Sequence, residues 1–90
     1  MPKLILPELL KKYSPDTLEY TVSGDTIYKC LLDLAAQCPP LEEKLFKRDG
    51  KISAAFIIYL DNRDIRTLEG ADTKVGPDST IRLLAALAGG

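Results

Sequence analysis

The stretch "SGDTIYKCLLDLAAQCPP", residues 23–40, predicts the central helix of the fold. At its start, Asp25 or Thr26 can accept hydrogen bonds from the first free N–H groups of a helix. Apolar side chains then recur every three or four positions, which places them on one helix face: Ile27, Cys30, Leu31, Leu34 and Cys38. Pro39 and Pro40 end the helix because proline donates no hydrogen bond to the helical ladder. The pattern therefore predicts one helix with a single apolar stripe.

Two strand patterns precede this helix. Lys3–Leu6 is a short β-prone run that ends at Pro7. Residues 9–16, "LLKKYSPD", form a polar excursion with a turn at residues 14–16. Apolar and polar residues then alternate, as in a half-buried strand, with Leu18, Tyr20 and Val22 on the apolar side. The two strands and their connection predict an opening hairpin.

The second half of the chain predicts three more strands. A short helical turn is predicted first, at residues 41–47, with Leu41, Leu45 and Phe46 covering the core edge. The continuously apolar run Ala54–Leu60 then predicts a strand buried on both faces or nearly so. Turn residues 61–64 lead to a short return strand at residues 64–66, and residues 68–78 read as a loop. The last strand is predicted at residues 80–87, with Ile81, Leu83 and Ala85 on one face and Arg82, Leu84 and Ala86 on the other.

This order of elements predicts an α+β fold. A hairpin, a crossover helix and returning strands form a mixed sheet with one main helix packed on one face. That arrangement is the β-grasp, or ubiquitin-like, fold. A chain of 90 residues, 46% of them hydrophobic, suits one small domain. We expect residues 1–87 to form this domain and residues 88–90 to form a flexible C-terminal reactive tail.

Charge composition narrows the classes of partner. Twelve Lys and Arg residues balance 13 Asp and Glu residues, for a net charge of -1, so neither nucleic acid nor an anionic membrane is expected as a partner. A basic cluster at residues 44–51 has acidic residues beside it and is typical of a solvated surface. Residues 1–12 resemble neither a signal peptide nor a spanning segment, so we expect a cytoplasmic protein.

Composition also disfavours a conventional active site. The chain has no histidine, so Ser–His and Cys–His nucleophile pairs are excluded, and it has no phosphate-binding glycine motif or metal-ligand cluster. Cys30 and Cys38, on one helix, would lie about 12 Å apart along its axis, beyond the roughly 7 Å limit for a disulfide. We expect them to be buried or semi-buried thiols, and we expect no catalytic residue, no metal and no bound cofactor.

The final residues Gly89 and Gly90 suggest a different kind of chemistry. A C-terminal carboxyl group has a pKa near ~3.5, so at neutral pH it is an anion that resists nucleophiles. It becomes reactive after conversion to an acyl-adenylate with ATP in the site of another protein. Two glycines suit a narrow channel into such a site because they have no Cβ.

Three stretches carry a resemblance to a known family: "SGDTIYKCLLDL", "IIYLDNRDIRTLEGADTKVGPDSTIRLL" and the final "AGG". They resemble the sulfur carrier proteins of the MoaD/ThiS group, and the CysO-like carriers of cysteine assembly in particular. The resemblance implies that a ubiquitin-activating-type adenylyltransferase uses ATP to adenylate Gly90, and that sulfur then replaces AMP to give a thiocarboxylate. A sulfur-accepting enzyme, a sulfhydrylase or a synthase, would take the sulfur, and a metal-dependent isopeptidase is a further possible partner.

The resemblance also implies roles for individual residues. Gly90 would carry the reactive acyl group, with Gly89 and Ala88 threading it, and the partner-binding residues would be Ala88, Leu87 and Leu84. Leu84 matches an exposed docking position of molybdopterin-type relatives. In the strand pattern it lies opposite Ile81 and Leu83, where exposure and burial in a two-sided sheet both remain open.

Two departures separate the chain from carriers of molybdopterin biosynthesis. Ala85-Ala86 stands where those carriers have a Pro-Pro pair, and residues 76–79, "GPDS", replace an Asp-Gly-Asp turn. The sulfur recipient therefore stays open among cysteine, homocysteine, a molybdenum cofactor, thiamine and a sulfur-containing natural product. Two other functions also stay open: a ubiquitin-like modifier joined to lysines through Gly90, and a non-covalent β-grasp binding module.

Overall fold

Five strands form one mixed sheet in the computed structural model, which describes residues 1–86. Their order across the sheet is β2-β1-β5-β3-β4, with β1 and β5 parallel and the other pairs antiparallel. The strands are β1 Lys3–Ile5, β2 Glu19–Thr21, β3 Phe56–Leu60, β4 Arg63–Asp64 and β5 Thr80–Ala85. The α-helices are α1 Ile27–Gln37 and α2 Glu42–Leu45, and short 3-10 turns lie at Glu8–Leu10, Pro39–Leu41, Ile65–Thr67 and Gly70–Asp72. This arrangement confirms the predicted α+β, β-grasp fold.

Helix α1 begins and ends as its sequence predicts. Thr26 is the N-cap, and its hydroxyl accepts a hydrogen bond from the Lys29 backbone N–H at 3.2 Å. The helix ends at Gln37, followed by Cys38 as the C-cap and then by the two prolines. Its apolar stripe is buried against the sheet, and Ala35 extends it: Ile27, Cys30, Leu31, Leu34 and Ala35.

One face of the sheet and α1 enclose the core. Along the two central strands, alternate residues are buried on this face, which we call the core face: Leu4 in β1, and Ile81 and Leu83 in β5. The predicted helical turn after α1 closes one end of the core, with Leu41 and Leu45 buried and Phe46 half-buried. The helix and the alternating strands thus share one hydrophobic cluster, which is the main source of stability in a domain of this size.

The connection between β1 and β2 is less polar than predicted. It contains the turn Glu8–Leu10, and Leu10 is only 1% exposed because it packs into the core. Ser14 is also buried; its hydroxyl donates to the Thr17 carbonyl at 2.6 Å and forms a hydrogen bond with the Tyr20 hydroxyl. The predicted turn at this serine is therefore present, but the segment contributes to the core.

Strand β3 corrects the prediction of burial on both faces. Ile58 and Leu60 are buried on the core face, whereas Ile57 and Tyr59 on the other face are only half-buried. The reason is that, within residues 1–86, both α-helices pack on the core side and leave the other face uncovered. The predicted start at Ala54 is also early, since β3 begins at Phe56.

The hairpin after β3 differs from its prediction in where its second strand lies. Asp61 and Asn62 both have positive φ, 48° and 70°, as a two-residue type I′ turn requires. The return strand is Arg63–Asp64, and Ile65–Thr67 leaves the sheet as a 3-10 turn. The Asp64 carboxylate caps that turn by accepting the Arg66 backbone N–H at 2.9 Å, which ends the pairing early.

Strand β5 confirms the predicted position of the last strand up to Ala85. The predicted end of that strand at Leu87, and the predicted boundary between residues 87 and 88, lie outside the described residues.

Candidate functional site

The sheet face opposite α1 carries the one predicted site residue that the structure describes. Because Ile81 and Leu83 point to the core, Arg82 and Leu84 lie on the opposite, outer face of β5. Leu84 is 40% exposed. Of the two arrangements that the sequence leaves open for Leu84, the structure has the exposed one.

Cross-strand pairing surrounds Leu84 with partly exposed neighbours. Leu84 lies directly opposite Ile57 of β3, and Arg82 lies between Tyr59 of β3 and Ile5 of β1. Side chains that face each other in this way have Cβ atoms about 5 Å apart. We call these five residues the outer patch: Ile5, Ile57, Tyr59, Arg82 and Leu84.

Ion pairs border the outer patch on two sides. Next to Ile5, the Lys3 ammonium lies 3.3 Å from the Glu19 carboxylate. Next to Tyr59, Asp64 Oδ2 accepts hydrogen bonds from the Arg66 guanidinium, from Nη2 at 2.6 Å and from Nε at 3.0 Å, and Nε also donates to Asp64 Oδ1 at 3.1 Å. These bonds, with that of the Arg66 backbone, hold the pKa of the Asp64 carboxyl below its usual range. Exposed apolar side chains with an arginine and a tyrosine among them, surrounded by a charged rim, are typical of a protein-binding surface.

The outer patch lies next to the last residue that the structure describes. The Ala86 N–H donates to the Ala55 carbonyl at 2.9 Å, so pairing with the segment before β3 continues one residue beyond β5. The other predicted site residues, Leu87, Ala88, Gly89 and Gly90, lie outside the described residues. Leu84 therefore lies two residues before the last described residue, Ala86, and four before Ala88, where the predicted reactive tail begins.

The two cysteines are free thiols in different environments. Cys30 is fully buried, and its burial, together with the nearby Asp33 and Asp25 carboxylates, raises the pKa of its thiol to about 11. At neutral pH this thiol is protonated and is therefore a poor nucleophile. Cys38 is half-buried and donates to the Tyr13 carbonyl at 3.3 Å. The prediction of buried or semi-buried thiols is confirmed.

Two further findings concern residues 1–86 as a whole. They contain no group of three or more cysteine or acidic side chains placed to hold a metal ion. None of their helices is both long enough and apolar enough to span a bilayer.

The sequence alone does not identify four residues of the outer patch. It predicts Ile5 only as part of the first strand, Ile57 and Tyr59 as part of a doubly buried strand, and Arg82 only as a neighbour of Leu84 on the same strand face. The signal that identifies them is the register of β5 with β3 and with β1, because it shows which residues lie beside Leu84 and Arg82. Strand pairing of this kind is set by contacts that are distant in sequence.

Comparison with known proteins gives full-length similarities. No protein-family model matches the sequence. The sulfur carrier protein CysO of Mycobacterium tuberculosis is 28% identical over 87 residues, which cover 94% of each chain. The crystal structure of the Amycolatopsis orientalis BexX/CysO complex contains a chain that superimposes with a TM-score of 0.87 at 21% identity, with full coverage of both chains.

A third similarity is to an archaeal protein. The solution structure of small archaeal modifier protein 1 from Methanosarcina acetivorans has a TM-score of 0.86 at 25% identity, over 99% of this chain and 95% of that one. These structures share the β-grasp fold. The chain is thus similar, over nearly its whole length, to sulfur carrier proteins of ubiquitin-like fold, and the resemblance to CysO-like carriers that its sequence predicts is confirmed.

Proposed function

We propose that this protein is a sulfur carrier whose Gly90 carboxylate becomes a thiocarboxylate in a partner enzyme. The observation that carries the proposal is the similarity to a sulfur carrier protein across 94% of both chains. In this proposal the chain is a co-substrate, and partner enzymes perform the catalysis.

The proposed chemistry has two steps. The Gly90 carboxylate attacks the α-phosphorus of ATP in a ubiquitin-activating-type adenylyltransferase, and pyrophosphate leaves. Hydrosulfide then attacks the acyl carbon and AMP leaves, so the C–O bond to AMP is replaced by a C–S bond. Adenylation is needed because a carboxylate anion is a poor electrophile and AMP is a good leaving group.

The outer patch is the proposed docking surface for the partner that receives residues 87–90. Leu84 and Ile57 provide adjacent apolar contact area, and Arg82 and Tyr59 are residue types that are enriched at protein interfaces. A chain of the Amycolatopsis orientalis BexX/CysO complex has the same fold as this protein, which supports a partner protein for this chain as well.

Cysteine assembly is the proposed use of the sulfur. The likeness to CysO supports it, and the two departures from molybdopterin-type carriers, at residues 76–79 and 85–86, fit it. A sulfhydrylase would then accept the sulfur from Gly90.

Intact-mass spectrometry tests the carrier chemistry. The 90-residue chain is incubated with ATP, sulfide and an adenylyltransferase from the same genome, first shown to release pyrophosphate in the presence of the chain. We expect the mass to rise by one exchange of oxygen for sulfur. The control is the chain without residues 89 and 90, which keeps every described residue. Pyrophosphate release without the mass shift would contradict the sulfur step.

A second candidate function is protein modification, favoured by the similarity to small archaeal modifier protein 1. Its product would be an isopeptide bond between Gly90 and a lysine of a target protein. Trypsin cuts after Arg82, so a modified lysine would retain residues 83–90, "LLAALAGG". Finding this remnant on lysines in cell extract would support protein modification. Its absence from cells that contain the thiocarboxylate form would contradict modification, and the carrier function would be the one retained.

A further inference from the structure

A groove of about 380 Å³ lies between the turn Glu8–Leu10, helix α2 and the start of β3. We call it the Tyr13 groove and define it by six residues that line it: Leu9, Lys12, Tyr13, Glu43, Lys44 and Phe56. Its volume is near the lower end of the range for ligand pockets, about 300–1,000 Å³. Its apolar surface is accessible, since Leu9 is 50% exposed and Phe56 is half-buried. The groove therefore has room for a few side chains of a partner.

Tyr13 is anchored in the groove through its main chain. Its backbone N–H donates to the Leu10 carbonyl at 3.0 Å, and its carbonyl accepts a hydrogen bond from the Cys38 thiol at 3.3 Å. Leu10 is buried in the core, and Cys38 is the C-cap of α1. The Tyr13 ring is thus held in place before any partner arrives, which lowers the entropic cost of binding.

Two positive charges converge on the Tyr13 ring. The ammonium groups of Lys12, which follows the turn Glu8–Leu10, and of Lys44 in α2 lie 5.4 Å and 5.1 Å from the ring centroid. The pKa of the Tyr13 hydroxyl is lowered, mainly by its interaction with Lys44 and further by the charge of Lys12. Within residues 1–86 neither lysine forms an ion pair.

The charges of the groove favour an anionic ligand. Its charged lining residues are two lysines and one glutamate, Glu43, so the groove has a positive excess although the whole chain has a net charge of -1. Two ammonium groups near one ring repel each other, and a carboxylate placed between them would offset that repulsion. Complementary charge of this kind gives protein interfaces their specificity.

We propose that the Tyr13 groove binds a short segment of a partner protein in which an acidic residue stands next to a large apolar one. The carboxylate of the segment accepts hydrogen bonds from Lys12 and Lys44. Its apolar side chain lies on Leu9 and Phe56, where it is removed from water.

This binding goes beyond the proposed function, because it needs neither adenylation nor sulfur. It also uses a different surface. Phe56 lines the groove, whereas its neighbour Ile57 belongs to the outer patch, and successive residues of a strand point to opposite faces of the sheet. A segment bound in the groove therefore leaves the outer patch uncovered.

Selection from a library of random peptides displayed on phage tests the proposal with the 90-residue chain. Each round keeps the particles that bind the original chain and discards those that bind K12E/K44E, in which both groove lysines are reversed. We expect the selected sequences to be enriched in Asp or Glu beside Leu, Ile or Phe. Recovery of no such peptide, or of peptides without acidic residues, would overturn the proposal.

A matched variant separates the groove from the general charge of the surface. K11E/K47E changes the net charge equally, at two exposed lysines that do not line the groove. We expect a selected peptide to bind this control as it binds the original chain, and to bind K12E/K44E about tenfold or more weakly, because like charges repel. K12Q/K44Q removes the charges without reversing them and should give an intermediate loss. Equal losses in K12E/K44E and K11E/K47E would contradict the proposal.

NMR spectra of the chain with a selected peptide show where the peptide binds. We expect shifts at Leu9, Tyr13 and Phe56 and at the side chains of Lys12 and Lys44, and much smaller shifts when Asn or Gln replaces the acidic residue of the peptide. Shifts confined to the outer patch would contradict the proposal, as would equal shifts with inorganic phosphate, which would show an unselective anion site. No adenylyltransferase is present in these measurements, so this proposal and the carrier chemistry can fail separately.

Discussion

Leu84 differs from the other exposed leucines in its surroundings. Leu32 on α1 is exposed to a similar degree, 45% against 40% for Leu84. Leu84, however, has Ile57 directly beside it and lies two residues before the last described residue. Position, and not exposure alone, makes Leu84 the candidate docking residue.

Substitution of Leu84 by Asp should impair docking without unfolding the domain. A charge in the middle of an apolar contact costs binding free energy, and we expect kcat/KM for adenylation by the partner to fall about tenfold or more, equivalent to about 1.4 kcal/mol. Leu32→Asp is the matched control, since it places the same charge at an equally exposed leucine of α1. Equal rates for the two variants, at equal melting temperature, would remove Leu84 from the docking surface.

Gly24 is the residue at which a single methyl group should be most harmful. Its φ is +154°, and an added Cβ would lie 2.8 Å from the Cys30 backbone nitrogen and 2.9 Å from the Lys29 carbonyl carbon. Backbone strain and overpacking together predict that Gly24→Ala loses about 3 kcal/mol of unfolding free energy. Gly70→Ala separates the two causes, because Gly70 has φ +59° but open space around its Cα; we expect a loss of about 1 kcal/mol. Urea unfolding measures both, and equal losses would mean that the close approach at Gly24 costs nothing.

At the scale of elements, the sequence predicts those features that depend on contacts between residues close together in the chain. Helix α1 is bounded by a capping residue and two prolines within its own sequence, so its limits could be read without knowledge of the fold. Leu10 was missed because its burial depends on a core assembled from distant elements. Ile57 and Tyr59 were misassigned because an apolar strand sequence does not reveal that one face of the sheet is uncovered. The docking role of Leu84 could be predicted from resemblance, and its apolar neighbour Ile57 required the register of the strands.

The turn after β4 should make the stability of the protein depend on pH. Bonds from Arg66 lower the folded-state pKa of Asp64, so ionised Asp64 stabilises the folded state at pH values above its unfolded-state pKa of about 3.9. That contribution is lost as pH falls through the lower folded-state pKa. Asn at position 64 keeps the cap but loses the charge, so Asp64→Asn should be less stable than the original protein at pH 7, and the difference should shrink as pH falls from about 3.9 toward 2.

Urea unfolding at the two pH values measures this difference. Arg66→Gln should give the same dependence, and adding Asp64→Asn to it should cause little further loss, because both substitutions remove one ion pair. A difference between the original protein and Asp64→Asn that persists unchanged at pH 2 would assign the effect to something other than charge.

At the scale of the whole molecule, Cys30 reports on the integrity of the core. It lies in the same buried cluster as residues of the helix and of three strands, and its thiol has a pKa of about 11. At pH 8 only about one thiol in a thousand would be ionised, and the side chain is inaccessible to reagents. Cys30 should therefore react only when the core opens.

Alkylation with iodoacetamide at pH 8 tests this expectation. The folded protein should gain one adduct, on the half-buried Cys38, and the second should appear only across the urea unfolding transition. Cys38→Ser leaves Cys30 as the sole thiol and should show no adduct before unfolding. Reaction of that variant at the rate of a free thiol would show that the core opens without global unfolding.

The central position of β5 has a consequence for protein synthesis. Strand β5 lies between β1 and β3, so it joins the β1–β2 pair to the β3–β4 pair. While the ribosome makes residues 1–79, the chain lacks the strand that connects the β1–β2 pair to the β3–β4 pair, and a two-stranded ladder alone is only marginally stable. The sheet can close only after residues 80–86 have left the exit tunnel, by which time most of the chain has been made. A product that stops before residue 80 therefore has no centre for its sheet, and we expect proteases to cleave it faster than the 90-residue chain.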